Sequence, residues 1–365
     1  MPRIIVAATF LAALAAAAPA HADVPIAMVG PITGQYAAFG QQIREGAEQA
    51  VADINASGGV LGQKVTLAIG DDACDPRQAV SVANQMASRG VKLIDGHYCS
   101  GSSIPASKVY TEEEILQISP ASTNPSYTDN GSWNTFRVCG RDDQQGQVAG
   151  KYLADHFRGQ KIAILDDNSA YGKGLADQTR KALRAADVTE AMDATYTPGE
   201  RDYSALVSRL KSAGITVIYV GGYHTEAGLI IRQAREQGMT ATLVGGDALV
   251  TSEFWQIAGD AGSGTLMTFP ADPRLRPTAA KVVEEFKAKS IDPEGYVLYS
   301  YAVVEIWAEA ARKANSVDPK KVAETLRNSG PWASVIGSIR FDKKGDVTES
   351  NYVLYVWKNG TYAQM

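Results

Sequence analysis

Short strand-like runs alternate with amphipathic helical runs along most of this chain, and that alternation limits the fold more than any other feature. VPIAMVG (Val24 to Gly30) reads as a buried strand. The helical run after it puts Ile43, Ala47, Val51 and Ile54 on one face and stops at Gly58-Gly59. A strand from Lys64 to Asp72, a helix from Pro76 to Ser88 and a strand from Val91 to Gly96 continue the pattern. It resumes with KIAIL from Lys161, a helix from Tyr171, a strand near Thr195, a helix from Tyr203 and VIYVGGY from Val217. A helix from Glu226 and ATLVGG from Ala241 complete it. Strands alternating with helices in this way form βαβ units and parallel sheets, so two such blocks imply two α/β lobes. The last third departs from the pattern. Helical stretches at Thr278 to Ser290 and Tyr296 to Ala314 precede a helix that Asp318 can cap and Pro319 can open, and then come strands around a Lys-Gly-Asp turn. This tail is too small for a third domain, so it completes the two lobes and the chain crosses between them more than once.

The start of the chain reads as an export signal rather than as part of the fold. Arg3 is followed by an apolar run from Ile4 to Ala18, the helix breaker Pro19 and the small-x-small site Ala20-His21-Ala22, which predicts cleavage before Asp23. No cysteine lies near that site to carry a lipid, and no later segment has the roughly 18 apolar residues that a membrane helix needs. With 35 basic and 40 acidic residues the net charge is −5, which argues against a broad nucleic-acid or anionic-lipid surface. Export favours a bridge among Cys74, Cys99 and Cys139 over a metal site. Cys74 with Cys99, a loop of about 26 residues worth roughly 3–4 kcal/mol in lost chain entropy, is the expected pairing with Cys139 left over, and spacing also admits Cys99 with Cys139.

In open parallel sheets ligands bind beyond the carboxyl ends of the strands. Those positions here are Gly30 to Phe39, Gly96 to Ser103, Pro120 to Thr123, Asp166 to Tyr171, Gly221 to Tyr223 and Gly246-Asp247, rich in Gly, Ser, Thr and Tyr. Ser100, Ser102 and Ser103 precede a helix whose free N–H groups suit an anion. PASTN adds the Ala121 carbonyl and the hydroxyls and N–H groups of Ser122 and Thr123, so the two segments together could hold a small carboxylate. Ordinary helix capping accounts for either segment alone. Asp247 is a lone acid placed to meet a cation such as an α-ammonium. Tyr36, Phe39, Tyr98, Tyr171, Tyr223 and Tyr296 could form aromatic walls. No catalytic or cofactor pattern emerges. After the signal only His97, His156 and His224 remain. His224-Thr225-Glu226 lacks a third metal ligand, and there is no nucleophile elbow, phosphate loop or dinucleotide fingerprint. No enzyme, metal or cofactor is therefore expected.

GPITGQYAAFG, EGAEQAVADINASGG, DDACDPRQAVSVANQ, GHYCSGSSIPAS, PASTNPSYT, YGKGLA, GGYHTEAGLIIRQA and GGDAL resemble the periplasmic leucine/isoleucine/valine-binding proteins of ABC transporters, across essentially the whole chain after residue 22. The resemblance implies a Cys74–Cys99 bridge, with DDACDP and GHYCS as its two ends, and leaves Cys139 free. It implies an α/β fold of two doubly wound Rossmann-like lobes joined by three hinge crossovers. One lobe would hold 23–141 plus 271–348, the other 142–270 plus 349–365. It assigns Ser100 and Thr123 to an α-carboxylate, and the Ala121 carbonyl, the Thr123 hydroxyl and Asp247 to an α-ammonium. Tyr98, Phe39, Tyr171, Tyr223 and Tyr296 would line or close the pocket. The partners implied are an amino acid and a membrane permease, met by a periplasmic monomer. Two residues depart from the family pattern: Asp247 stands where leucine binders carry Glu, and Tyr98 stands where they carry an aliphatic side chain. These widen the expected ligands from branched-chain to other small neutral amino acids or a γ-amino acid. A receptor for an amide or aromatic acid, and an exported α/β hydrolase, are the competing readings.

Overall fold

The computed structural model describes residues 22–365, so nearly all of the expected export signal lies outside the described residues. Five strands form a wholly parallel first sheet: β1 (Val24–Gly30), β2 (Val65–Asp71), β3 (Leu93–Gly96), β4 (Leu116–Ser119) and β5 (Thr135–Arg137), in the order β2-β1-β3-β4-β5. The second sheet is built from β6 (Ile162–Asp166), β7 (Met192–Thr195), β8 (Val217–Gly221), β9 (Thr242–Gly245) and β10 (Leu266–Pro270), all parallel. After the small hairpin of β11 (Trp332–Ser334) and β12 (Gly337–Ile339), the chain adds to the second sheet β13 (Tyr352–Lys358), antiparallel to β10, and β14 (Thr361–Gln364), antiparallel to β13. The order of that sheet is β14-β13-β10-β9-β8-β6-β7. Helices cover both faces, which is why β6 and β8 are apolar runs buried along their whole length rather than alternating strands.

The chain passes between the sheets three times: after β5, after β10 and before β13. The fold is thus α/β, with two doubly wound lobes joined by three crossovers. Helix Val297–Ala314 returns to the first lobe, where it packs on helix Ala37–Ala56 and against β3. In the second lobe helix Asp142–Phe157 lies close against Ala170–Ala185. A Cβ on Gly150 would stand 2.6 Å from the Thr179 carbonyl oxygen, so the close approach requires glycine.

Local expectations hold with small shifts. Asp318 accepts from the Lys321 N–H at 3.1 Å and Pro319 opens the helix Pro319–Asn328. The helix expected from Thr278 begins at Ala280, because Pro273 and Pro277 each open a short 3₁₀ turn first. The bridge joins Cys74 to Cys99, with Cα atoms 5.6 Å apart, and Cys139 is free and buried.

The first crossover is locked by charge. Arg137 is fully buried and donates to the Ser122 carbonyl (2.5 Å), the Asn124 carbonyl (3.0 Å) and Asp346 (2.7 Å). Arg141 reaches the other Asp346 oxygen at 2.6 Å. One carboxylate near the third crossover therefore bridges two arginines at the first, and Asp129 and Asp143 also pair with Arg141.

Candidate functional site

The facing ends of the two sheets meet around one small cavity. Tyr98 and Ser100 follow β3, and Ala121 follows β4. Tyr171, Tyr223 and Asp247 follow β6, β8 and β9, as the strand-end rule requires. Tyr296, just before helix Val297–Ala314, completes the wall from the first lobe. Seven of the ten expected ligand residues therefore line a single space, together with Ala248. Its volume is about 10 Å³, room for about one water. Gly96 lets the β3 end turn toward this space. Its φ is +141°, and a Cβ there would stand 2.2 Å from the Val29 carbonyl oxygen.

Asp247 is the electrostatic centre. It is buried, accepts from the Tyr171 hydroxyl at 2.7 Å and from the Tyr296 hydroxyl at 2.6 Å, and so ties the two lobes together. Burial raises its pKa, and the bonds from Tyr296, Tyr171 and Gln145 oppose that rise. Among the described residues no Lys, Arg or His side chain pairs with it. Opposite lies the start of helix Ser100–Glu112, where the Ser100 hydroxyl accepts from the Asn124 N–H at 3.2 Å. A carboxylate backed by two phenols on one side and a helix start with a hydroxyl on the other form a cradle for a zwitterion.

The three remaining expected residues stand beside the cavity. Ser122 turns its hydroxyl into the first lobe, meeting Ser103 at 2.7 Å and the Tyr98 carbonyl at 3.0 Å. Phe39 backs the wall, stacked on Tyr98 with centroids 4.5 Å apart and edge-on to Tyr296 at 6.3 Å. Thr123 is buried, and its hydroxyl has no hydrogen-bond partner.

Beside Thr123 lies an acid that sequence reasoning missed. Asp142 opens helix Asp142–Phe157 and donates its N–H to the Thr123 carbonyl at 2.9 Å, while both its carboxylate oxygens are buried without a partner. Burial, and then Asp247, hold its pKa well above the carboxylate range. In the sequence it looks like any acid in a helix's first turn. Arg137 was missed too, since a single Arg ending a three-residue strand carries no periodic signal. The histidines are engaged elsewhere: His97 is sealed between Asp72 (2.6 Å) and Tyr110 (2.9 Å), and His224 meets Glu253 at 2.9 Å. Among the described residues no group of three or more His, Cys, Asp or Glu side chains is placed to hold a metal.

Comparison with known proteins identifies the family and the fold. The sequence pattern described as periplasmic binding protein matches residues 23–361. A Leu/Ile/Val-binding protein homolog from Brucella suis is 49% identical over 349 residues, 96% of this chain and 94% of its own length. Among solved structures, a leucine-binding protein from Thermotoga maritima superimposes with a TM-score of 0.87 at 28% identity, covering 94% of this chain and 97% of that one. A branched-chain amino acid transporter substrate-binding protein from Streptococcus pneumoniae, in complex with isoleucine, gives 0.85 at 26% identity, covering 94% and 98%.

Proposed function

The chain belongs to the periplasmic binding protein family, and we propose that its lobes close on a small amino acid in the periplasm and deliver it to the permease of an ABC importer. The observation that carries this reading is Asp247, a buried carboxylate with two phenol donors and, among the described residues, no cation paired with it. Burying a charge is costly unless it is paired, so the site is completed by a ligand that brings an ammonium. In this reading Asp247, the Ala121 carbonyl and the Thr123 hydroxyl hold the α-ammonium. Ser100 and the Thr123 N–H hold the carboxylate, and Tyr98, Tyr171, Tyr223 and Tyr296 enclose the side chain, with Phe39 behind. The lobes hinge at 141/142, 270/271 and 348/349. Cleavage before Asp23 releases a monomer that binds rather than transforms its ligand.

A micromolar ligand corresponds to about −8 kcal/mol, which for about nine heavy atoms demands near-complete burial with every charge paired. Closure between rigid lobes meets that demand. Asp247 also supports a second reading, a γ-amino acid. Its carboxylate is held back toward Tyr171 and Tyr296, so an amine set farther from its carboxylate would still reach it.

A thermal-shift panel of α- and γ-amino acids, followed by calorimetry on the hits, tests the proposal. We expect saturable binding of at least one small neutral amino acid with a raised unfolding midpoint. A bound molecule without a charged nitrogen would overturn it.

A further inference from the structure

A second set of buried acids lies on the far side of Tyr223, outside the cavity around Asp247. A cleft of about 870 Å³ opens there between the lobes, walled by Tyr36, Tyr196, Tyr223 and Asp167. Tyr223 borders both this cleft and the Asp247 cavity, and Tyr36 from the first lobe lies over it with centroids 4.2 Å apart. Asp167 is only 3% exposed, Tyr196 5% and Glu226 0%. Each keeps a polar atom without a partner: Asp167 Oδ2, the Tyr196 hydroxyl and Glu226 Oε2. The first two converge over Gly222, where a Cβ would stand 1.9 Å from the Tyr196 hydroxyl and 3.3 Å from Asp167 Oδ2. Glycine at this point keeps open the approach to both. The other oxygens are used: Asp167 Oδ1 accepts from the Ser169 N–H at 2.8 Å, and Glu226 Oε1 from the Gly199 N–H at 2.9 Å. No Lys or Arg among the described residues pairs with either acid.

Buried polar atoms in folded proteins are satisfied, and an exception asks for an explanation. Here the Asp167 Oδ2 and the Tyr196 hydroxyl lie without partners beside Gly222, tyrosine rings wall the cleft around them, and the buried Glu226 carboxylate is near enough to act on Asp167. Aromatic faces and carboxylates together attract an organic cation more than they attract a neutral or anionic group. Resting on the proposed amino-acid site, we infer that this recess is a second subsite, which takes the ammonium or guanidinium end of a basic amino acid whose head group lies at Asp247. The side chain of such a ligand runs past Tyr223 from one acid to the other.

The test is calorimetry on the mature chain with L-ornithine and L-lysine against their neutral counterparts L-norvaline and L-norleucine. The expected result is that a basic ligand binds within about tenfold of its neutral counterpart. Asp167→Asn should then weaken the basic ligand by about tenfold or more, the scale of one charge-assisted hydrogen bond, and leave the neutral one within about twofold. Tyr196→Phe should act in the same direction by a smaller factor, and it serves as the second variant if Asp167→Asn does not fold. Binding of neutral but not basic amino acids overturns the subsite and leaves the proposed function standing. Equal losses for both ligands in either variant overturn it as well, because the recess would then act on closure. Failure of both ligand classes removes the subsite and the amino-acid site together.

Discussion

At Asp247 a carboxylate with two phenol donors awaits a cation, and its removal should act in opposite directions on binding and on the empty protein. Asp247→Ala leaves a ligand ammonium buried without its counter-ion, a loss of about 3–5 kcal/mol when one member of a buried pair is deleted, or at least about a hundredfold in affinity. The ligand-free variant, relieved of an unpaired buried charge, should unfold no more easily than the parent. Calorimetry showing unchanged affinity would remove Asp247 from the site. Asp167 gives a pH prediction. Burial pushes its pKa up to about 6 from an ordinary 3.8, a difference of roughly 3 kcal/mol. The folded value lies above the unfolded one, so the protonated form favours folding. That contribution is whole below about pH 4 and lost as pH rises through 6. Asp167→Asn should therefore stabilise the ligand-free protein more at pH 7.5 than at pH 4, by up to about 3 kcal/mol in urea unfolding. A difference that does not change with pH would show that no ionised carboxylate is buried there. The sequence showed Asp247, Ser100 and Ala121 because strand ends are positions that a pattern can locate. It hid Asp142 and Arg137 because their roles come from burial between lobes, which no local spacing records.

At the scale of elements, the loop from Pro120 to Asn124 depends on Arg137, which holds two of its carbonyls and is itself neutralised by Asp346. Asp346→Ala leaves Arg137 fully buried without its carboxylate, and breaking such a pair costs about 3–5 kcal/mol. The expected result is a protein that unfolds at lower urea concentration and also binds more weakly, because Ala121 and Thr123 sit in the freed loop. Retention of both stability and affinity would show that the loop holds its own shape. The long strands and amphipathic helices of this region were legible from periodicity. β5, only three residues long, was not singled out, since so short a run completes no period. The Cys74–Cys99 bridge was the expected pairing and drew its support from likeness to a family, because loop length cannot rank two feasible closures.

For the whole molecule the question is what holds the lobes together before a ligand arrives. Contacts across the cleft include hydrogen bonds from Tyr296 to Asp247 at 2.6 Å, Asn124 to the Ala170 carbonyl at 2.5 Å, Thr225 to the Gln35 carbonyl at 3.2 Å and Ser252 to Glu294 at 3.0 Å, together with the stacking of Tyr36 on Tyr223. Interfaces of this kind favour relative motion unless something joins the two faces. Ligand affinity then reflects the fraction of molecules already closed, and a ligand that touches both lobes shifts that fraction by its preference for the closed form. Tyr296→Phe removes one tie while leaving the ring in the wall. It should open the ligand-free protein, seen as a larger radius of gyration in solution scattering. Affinity should fall about fivefold to thirtyfold, the range for one hydrogen bond to a charged group with some compensation by solvent. Saturating ligand should return the variant to the radius of the liganded parent. A radius that is the same with and without ligand, in parent and variant alike, would show that the lobes do not hinge and that ligand enters a preformed cavity.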